Sequence, residues 1–264
     1  MIETHRLTKR FQNLVAVDGV SFACSDGEVF GLLGPNGAGK TTILRLIASV
    51  LKPTAGAALV DGLDTSREGA RVRARVGLLV ESAGLYDRFS PREHLRFYGR
   101  LHGLYGPRLD RRVDGLLEML EMTDFADRRA EGFSAGMRRR VVLGQALIHD
   151  PPNVILDEPT ASLDVMSTRS VRALIDRLRQ EGRCVLISTH LMSEAQRLCD
   201  CVAIIHMGQL QAVGTPAELV TQSGSSNLEE AFVRIVGEER LRTDLWAQDR
   251  RRRWYQFWRR GRRV

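Results

Sequence analysis

Gly34-Pro35-Asn36-Gly37-Ala38-Gly39-Lys40-Thr41 follows the apolar run Val29-Phe30-Gly31-Leu32-Leu33 and precedes Thr42-Ile43-Leu44-Arg45-Leu46-Ile47. The eight residues fit the spacing G-x-x-x-x-G-K-[ST], set between a strand and a helix. Glycines let the main chain curl so that successive N–H groups point inward and form a seat for phosphate oxygens. The helix starting near Gly39 adds the positive end of its dipole. In a loop of this kind Lys40 reaches the β- and γ-phosphates of a nucleotide, and the Thr41 hydroxyl is placed to ligate Mg2+. Gly34, Pro35, Asn36, Gly37, Ala38, Gly39, Lys40, Thr41 and Thr42 are therefore candidate nucleotide contacts, with Thr41 also a candidate metal ligand. The plainer alternative is a glycine-rich turn with a surface lysine. Against it, the chain has three lysines (Lys9, Lys40, Lys52) and 36 arginines. A lysine at this one place suits a compact point charge better than a planar fork.

Further along, Asn153-Val154-Ile155-Leu156-Asp157-Glu158 reads as a buried strand ending in two carboxylates. A strand end facing a phosphate loop is where an Asp that holds Mg2+ belongs, and Asp157 takes that place. Glu158 points elsewhere and can orient or deprotonate an attacking water. Taken alone, the pattern reads better as two solvated acids at a strand end; after a phosphate loop the balance reverses.

Between these landmarks the chain alternates. Residues 2–11, 17–22 and 28–33 read as strands, residues 41–51 as a helix stopped by Lys52-Pro53, and residues 57–60 as a short strand. From Arg67 to His149 the pattern is helical. Ser90-Pro91-Arg92-Glu93 and Thr215-Pro216-Ala217-Glu218 are capping boxes. Val113, Leu116, Leu117 and Leu120 share one helix face. After residue 153, strands and helices alternate again, and Asn227 opens a last helix. Short apolar strands between helices predict an α/β fold with a mostly parallel sheet covered on both faces.

The chain has 264 residues, 43% hydrophobic and 27% charged, enough to bury a sizeable core. No apolar run approaches membrane-spanning length, and the start has no apolar leader. Cys24, Cys184, Cys199 and Cys201 are too scattered for a disulfide scaffold or a zinc site. The net charge of +7 is a property of residues 250–263, which carry eight arginines and no acid; the rest sums to −1. No nucleic-acid partner is expected from so neutral a body. The tail interleaves Trp254, Tyr255, Phe257 and Trp258 with arginines, which suits contact with anionic lipid headgroups. A solvated basic end and stacking on nucleic acid remain alternatives, which liposome flotation with and without residues 250–264 would separate.

Phe133-Ser134-Ala135-Gly136-Met137, about twenty residues before the Asp-Glu strand end, completes a resemblance. The span from Ile2 to about Gly237 resembles the ATP-binding subunit of an ABC transporter, with closest likeness to the drug- and ion-export branch around residues 84–93. The family signature is usually Leu-Ser-Gly-Gly-Gln; Ser134 and Gly136 match, and Phe133, Ala135 and Met137 depart. The resemblance implies a P-loop NTPase core in residues 1–237, with an N-terminal antiparallel β subdomain and a helical subdomain inserted at about 82–149. Residues 238–264 fall outside it. It further implies that Ser134, Gly136 and Met137 cap the γ-phosphate of ATP held by a second copy or a paired ATP-binding subunit. Phe11 would stack on adenine, Asp164 in Ala161-Ser162-Leu163-Asp164 would act across the dimer, and His190 would contact the γ-phosphate. Glu81 stands where the family usually has a glutamine that contacts Mg2+, so it is carried as a metal candidate with an added charge. The implied activity is ATP hydrolysis with Mg2+, at the cytoplasmic face of a membrane, powering export through a separate permease subunit. The rival reading is a soluble ATPase of the same superfamily in translation or DNA repair. Its usual second ATP-binding domain, coiled coil or zinc insertion is not visible.

Overall fold

A computed structural model describes residues 1–80 and 84–237. In chain order, strands β1 (Ile2–Phe11), β2 (Leu14–Cys24) and β3 (Val29–Leu33) lead through the glycine loop into helix α1 (Lys40–Ile47). Strands β4 (Ala55–Val60) and β5 (Leu63–Asp64), helix α2 (Gly69–Arg75) and strand β6 (Val76–Leu79) follow. Helices α3 (Pro91–Leu101) and α4 (Gly106–Met119), a 3-10 turn (Thr123–Phe125) and helix α5 (Ala135–Leu147) come next. The chain then alternates through β7 (Asn153–Asp157), α6 (Val165–Gln180), β8 (Cys184–Thr189), α7 (Met192–Leu198) and β9 (Cys201–His206). Strand β10 (Gln209–Gly214) and helices α8 (Pro216–Ser223) and α9 (Leu228–Val236) close the described chain.

The strands form two sheets, β2-β1-β4-β5 and β10-β9-β3-β8-β7-β6. The first is antiparallel throughout. In the second, every pairing is parallel except that of β9 with β10. The apolar runs read as buried strands are buried on both faces, and the period of two divides their side chains between two cores. Val29, Leu33, Val154, Leu156, Val185 and Ile187 face one core, built with α3 to α6. Phe30, Leu32, Ile155 and Leu186 face the other, shared with α1 and the antiparallel sheet. There Phe22 of β2 stacks on Phe30 at 5.0 Å between centroids. Each such side chain contributes about 1.5–3 kcal/mol by leaving water. Both capping boxes close reciprocally: Ser90 Oγ accepts from the Glu93 amide at 3.2 Å while the Ser90 amide donates to Glu93 Oε2 at 2.8 Å, and Thr215 with Glu218 repeats the pattern.

Two expectations are corrected. The stretch 67–149 is not wholly helical: Val76–Leu79 is a strand at the edge of the mixed sheet, paired with β7. Four residues are too few to show a period. The glycine among them is needed for close packing, because a Cβ on Gly77 would lie 2.4 Å from the Ala146 carbonyl oxygen. The first helix ends at Ile47, not Leu51. Ser49 takes a left-handed φ of 56°, and the Val50 and Leu51 amides turn back to the Arg45 carbonyl.

Candidate functional site

The glycine loop leaves β3 at Gly34 and enters α1 at Lys40. Two of its glycines are required by close approach. A Cβ on Gly34 would lie 2.2 Å from the Ile205 carbonyl oxygen; one on Gly39 would lie 2.5 Å from that of Ala16, at a left-handed φ of 104°. The loop is thus clasped between β9 and β2. The turn after β9 locks both, since Gly208 donates to the Ala38 carbonyl (2.9 Å) and Asp18 donates to that of Gly208 (2.8 Å). Lys40 is buried, and its Nζ donates to the carbonyls of Gly34 (2.6 Å) and Pro35 (3.2 Å). The same ammonium lies 3.5 Å from Glu158 Oε1.

Parallel pairing of β7 with β8 and of β3 with β8 brings three strand ends to one edge. Asp157, at the end of β7, accepts from Thr41 Oγ1 at 2.9 Å and from Ser188 Oγ at 2.5 Å. Glu158 follows with a left-handed φ of 49°, its amide bonded to both the carbonyl and the hydroxyl of Ser188. Its Oε2 lies 2.9 Å from His190 Nδ1, and pairing with a carboxylate assigns the proton to that nitrogen. Its Oε1 is buried and accepts no hydrogen bond among the described residues. That oxygen faces the Lys40 ammonium, so the carboxylate is balanced there by charge and not by a hydrogen bond.

That space is a cleft of about 490 Å3. Pro35 to Thr42 and Glu158 line one end. Phe11, Leu14 and Val15 from the β1–β2 turn line the other, with Met207 from the β9–β10 turn. Phe11 is 42% exposed and Met207 61%, and Lys9 Nζ stands 5.0 Å from the Phe11 ring centroid. The cleft therefore joins a seat of main-chain N–H groups and one cation to a shelf of exposed apolar side chains. A triphosphate with a flat base matches both ends. Leu14, Val15, Met207 and Gly208 escaped the sequence reading because they belong to no motif: Leu14 and Val15 open β2, and Met207-Gly208 is the turn after β9. The only local signal was the Met207-Gly208 turn itself.

Ser134, Gly136, Met137 and Asp164 do not line this cleft. They gather where the N-termini of α5 and α6 meet. Ser134 caps α5, accepting from the Met137 amide at 3.2 Å. Asp164 caps α6, accepting from the Ser167 amide (2.9 Å) and hydroxyl (2.7 Å), and the Ser167 amide holds its carboxyl below the usual range. Gly136 packs against this cap, where a Cβ would lie 2.2 Å from Ser167 Oγ. Glu81 and the tail, residues 238–264, lie outside the described residues.

A family model described as ABC transporter matches residues 17–161. The "ABC transporter ATP-binding protein NatA" of Bacillus subtilis (strain 168) is 42% identical over 238 residues, covering 88% of this chain and 97% of that protein. The "Linearmycin resistance ATP-binding protein LnrL" of the same organism is 33% identical over 238 residues, covering 90% of this chain and 76% of that protein. Among solved structures, an ATP-binding subunit of an ABC transporter superposes with a TM-score of 0.82 at 28% identity, covering 90% of this chain and all of that one.

Proposed function

This chain belongs to the ABC transporter family as an ATP-binding subunit and ATPase, and from that premise we propose that it powers export through a separate membrane permease. The observation that carries the hydrolytic reading is the meeting of Lys40, Glu158 and His190 at the mouth of the glycine loop, with Thr41 and Asp157 beside them. Export is supported by the resistance-type relative. No described helix is long and apolar enough to cross a membrane.

In the proposed mechanism the loop amides and Lys40 bind the phosphates. The ammonium, now held by the Gly34 and Pro35 carbonyls, turns to phosphate oxygens without leaving its pocket. Glu158 orients the attacking water and takes its proton on the buried Oε1, while His190 fixes the other carboxylate oxygen and borders the γ-phosphate. Phe11 and its apolar neighbours hold the base. Thr41 and Asp157 present only hydroxyl and carboxylate oxygen, a donor set that fits Mg2+. When bound there, the ion supplies neutralisation of charge on the β- and γ-phosphate oxygens.

Ser134, Gly136 and Met137 form a helix start away from the chain's own cleft, with Ser134 exposed, Met137 half-buried and Gly136 packed beneath. We read it as the cap for ATP held by a second copy or a paired subunit, with Asp164 beside it. The charge cage is then complete only in a dimer, and ATP binding favours the closed pair because both faces contact the nucleotide. This assembly is assigned to the cytoplasmic face of the membrane, where ATP is available.

The test is Mg-ATP turnover by purified protein and its Glu158→Gln variant. The variant is expected to bind ATP and pair while kcat falls about 100- to 10,000-fold. Turnover near that of the wild type would remove Glu158 from this role.

A further inference from the structure

We propose that Ser188 is a positioning residue for hydrolysis, the joint through which β8 sets both carboxylates at the end of β7. The inference rests on the reading of the site given above. Ser188 is fully buried and stands directly opposite Asp157 in the parallel register. Its hydroxyl makes two bonds of different kinds. It donates to Asp157 Oδ1 at 2.5 Å and accepts from the Glu158 amide at 3.2 Å. Its carbonyl accepts from the same amide at 3.1 Å.

Each bond answers a specific need. Asp157 has its other oxygen on Thr41, so the serine is its second anchor and prevents rotation of the carboxylate. Glu158 sits at a φ that a residue with a Cβ adopts only when its surroundings hold it there. The paired acceptors of Ser188 grip its amide. Two residues on, just past the end of β8, His190 grips the Glu158 carboxylate. The end of β8 and the residue that follows it thus fix the backbone and side chain of Glu158 and the side chain of Asp157. A hydroxyl in a fully buried strand is costly unless paired, and here both its donor and an acceptor lone pair are used.

The role is separable from packing by comparing Ser188→Thr with Ser188→Val, which have the same shape and differ in the hydroxyl. Three measurements are made on each full-length variant: kcat, KM for ATP, and the Mg2+ dependence of equilibrium ATP binding. Ser188→Thr is expected to stay within about threefold of the wild type. Ser188→Val is expected to lose about 10- to 100-fold in kcat, the scale of one misplaced group at a reacting centre. Its KM should move less than about threefold, while its binding of ATP should require about tenfold more Mg2+, because Asp157 is no longer aimed. Equal kcat and equal Mg2+ dependence in the two variants, whether both high or both low, would overturn the proposal. If the wild type itself shows no Mg-ATP turnover, the functional reading falls and this inference falls with it. If the wild type turns over and the pair does not diverge, only the role of Ser188 is lost.

Discussion

Lys40 and Glu158 face each other at 3.5 Å with less than a tenth of either side chain exposed. Burying two charges is costly unless each is held by further partners, and Lys40 has two carbonyls for that purpose. Glu158 has His190 on one oxygen and no hydrogen bond on the other. Such asymmetry suits a site that exchanges internal partners for those of a ligand. Lys40→Ala should lower ATP affinity by about 100-fold, the scale of a charge-assisted hydrogen bond to phosphate. Lys40→Arg should not restore it, because a planar fork cannot replace the compact ammonium within the curl of the loop. Equilibrium nucleotide binding checks both; wild-type affinity in Lys40→Ala would mean the phosphates sit elsewhere. At this scale the loop and the two acids were legible in the sequence because main-chain curl and strand ends are local properties. Ser188 was not, because one serine in an apolar run looks the same whether or not an aspartate lies opposite.

At the scale of elements, helix starts carry much of the site. Ser134 and Asp164 cap α5 and α6 with their side chains, and Gly136 lets the two ends touch. Gly136→Ala places a methyl 2.2 Å from Ser167 Oγ and 3.1 Å from its Cβ. That hydroxyl is already committed to Asp164, so the helix ends must separate. A loss of about 1–3 kcal/mol in urea denaturation is expected. Ser167→Ala in the same chain should recover part of it. Stability equal to the wild type in Gly136→Ala would show that the two ends are not tightly packed. The glycine therefore has a packing reason beside the one implied by the family signature. The capping boxes at Ser90 and Thr215 were readable as four-residue patterns. The short strand Val76–Leu79 was not, since its strand character comes from β7 alongside it.

For the molecule as a whole, histidines on the helical side set a pH dependence. His94 accepts from the Tyr86 amide on Nε2 at 3.0 Å with Nδ1 at the Ser90 carbonyl, an arrangement that needs the neutral ring. Burial holds its pKa below the ordinary value, and burial does the same to His102. His149 is pushed down to about 4, by burial first and then by His102, whose ring stacks on it at 3.8 Å. With folded values below the unfolded value of about 6.5, the unfolded chain binds more protons as pH falls. Stability should therefore be highest above about pH 6.5 and decline toward pH 4. Below that, Asp61, Asp150 and Glu181, whose carboxyls are held low chiefly by hydrogen bonds against the pull of burial, add further loss. Thermal melts at pH 7.5 and 5 check the sign. A melting temperature that did not drop, or a slope unchanged in His149→Gln, would contradict it.

The sequence by itself determined the chemistry of contiguous residues: a glycine loop able to seat phosphates, a buried run ending in two acids, and helix starts written as caps. These follow from φ preferences, side-chain period and hydrogen bonds that span a few residues. Only the tertiary structure decided which of them meet. Thr41 reaches Asp157 across 116 residues and His190 reaches Glu158 across 32, because parallel pairing brings separate strand ends to one edge. The same packing placed Ser134 and Asp164 together at the ends of α5 and α6, outside the cleft. Strand order and the approach of helix ends depend on the burial of whole faces, and no local spacing records that.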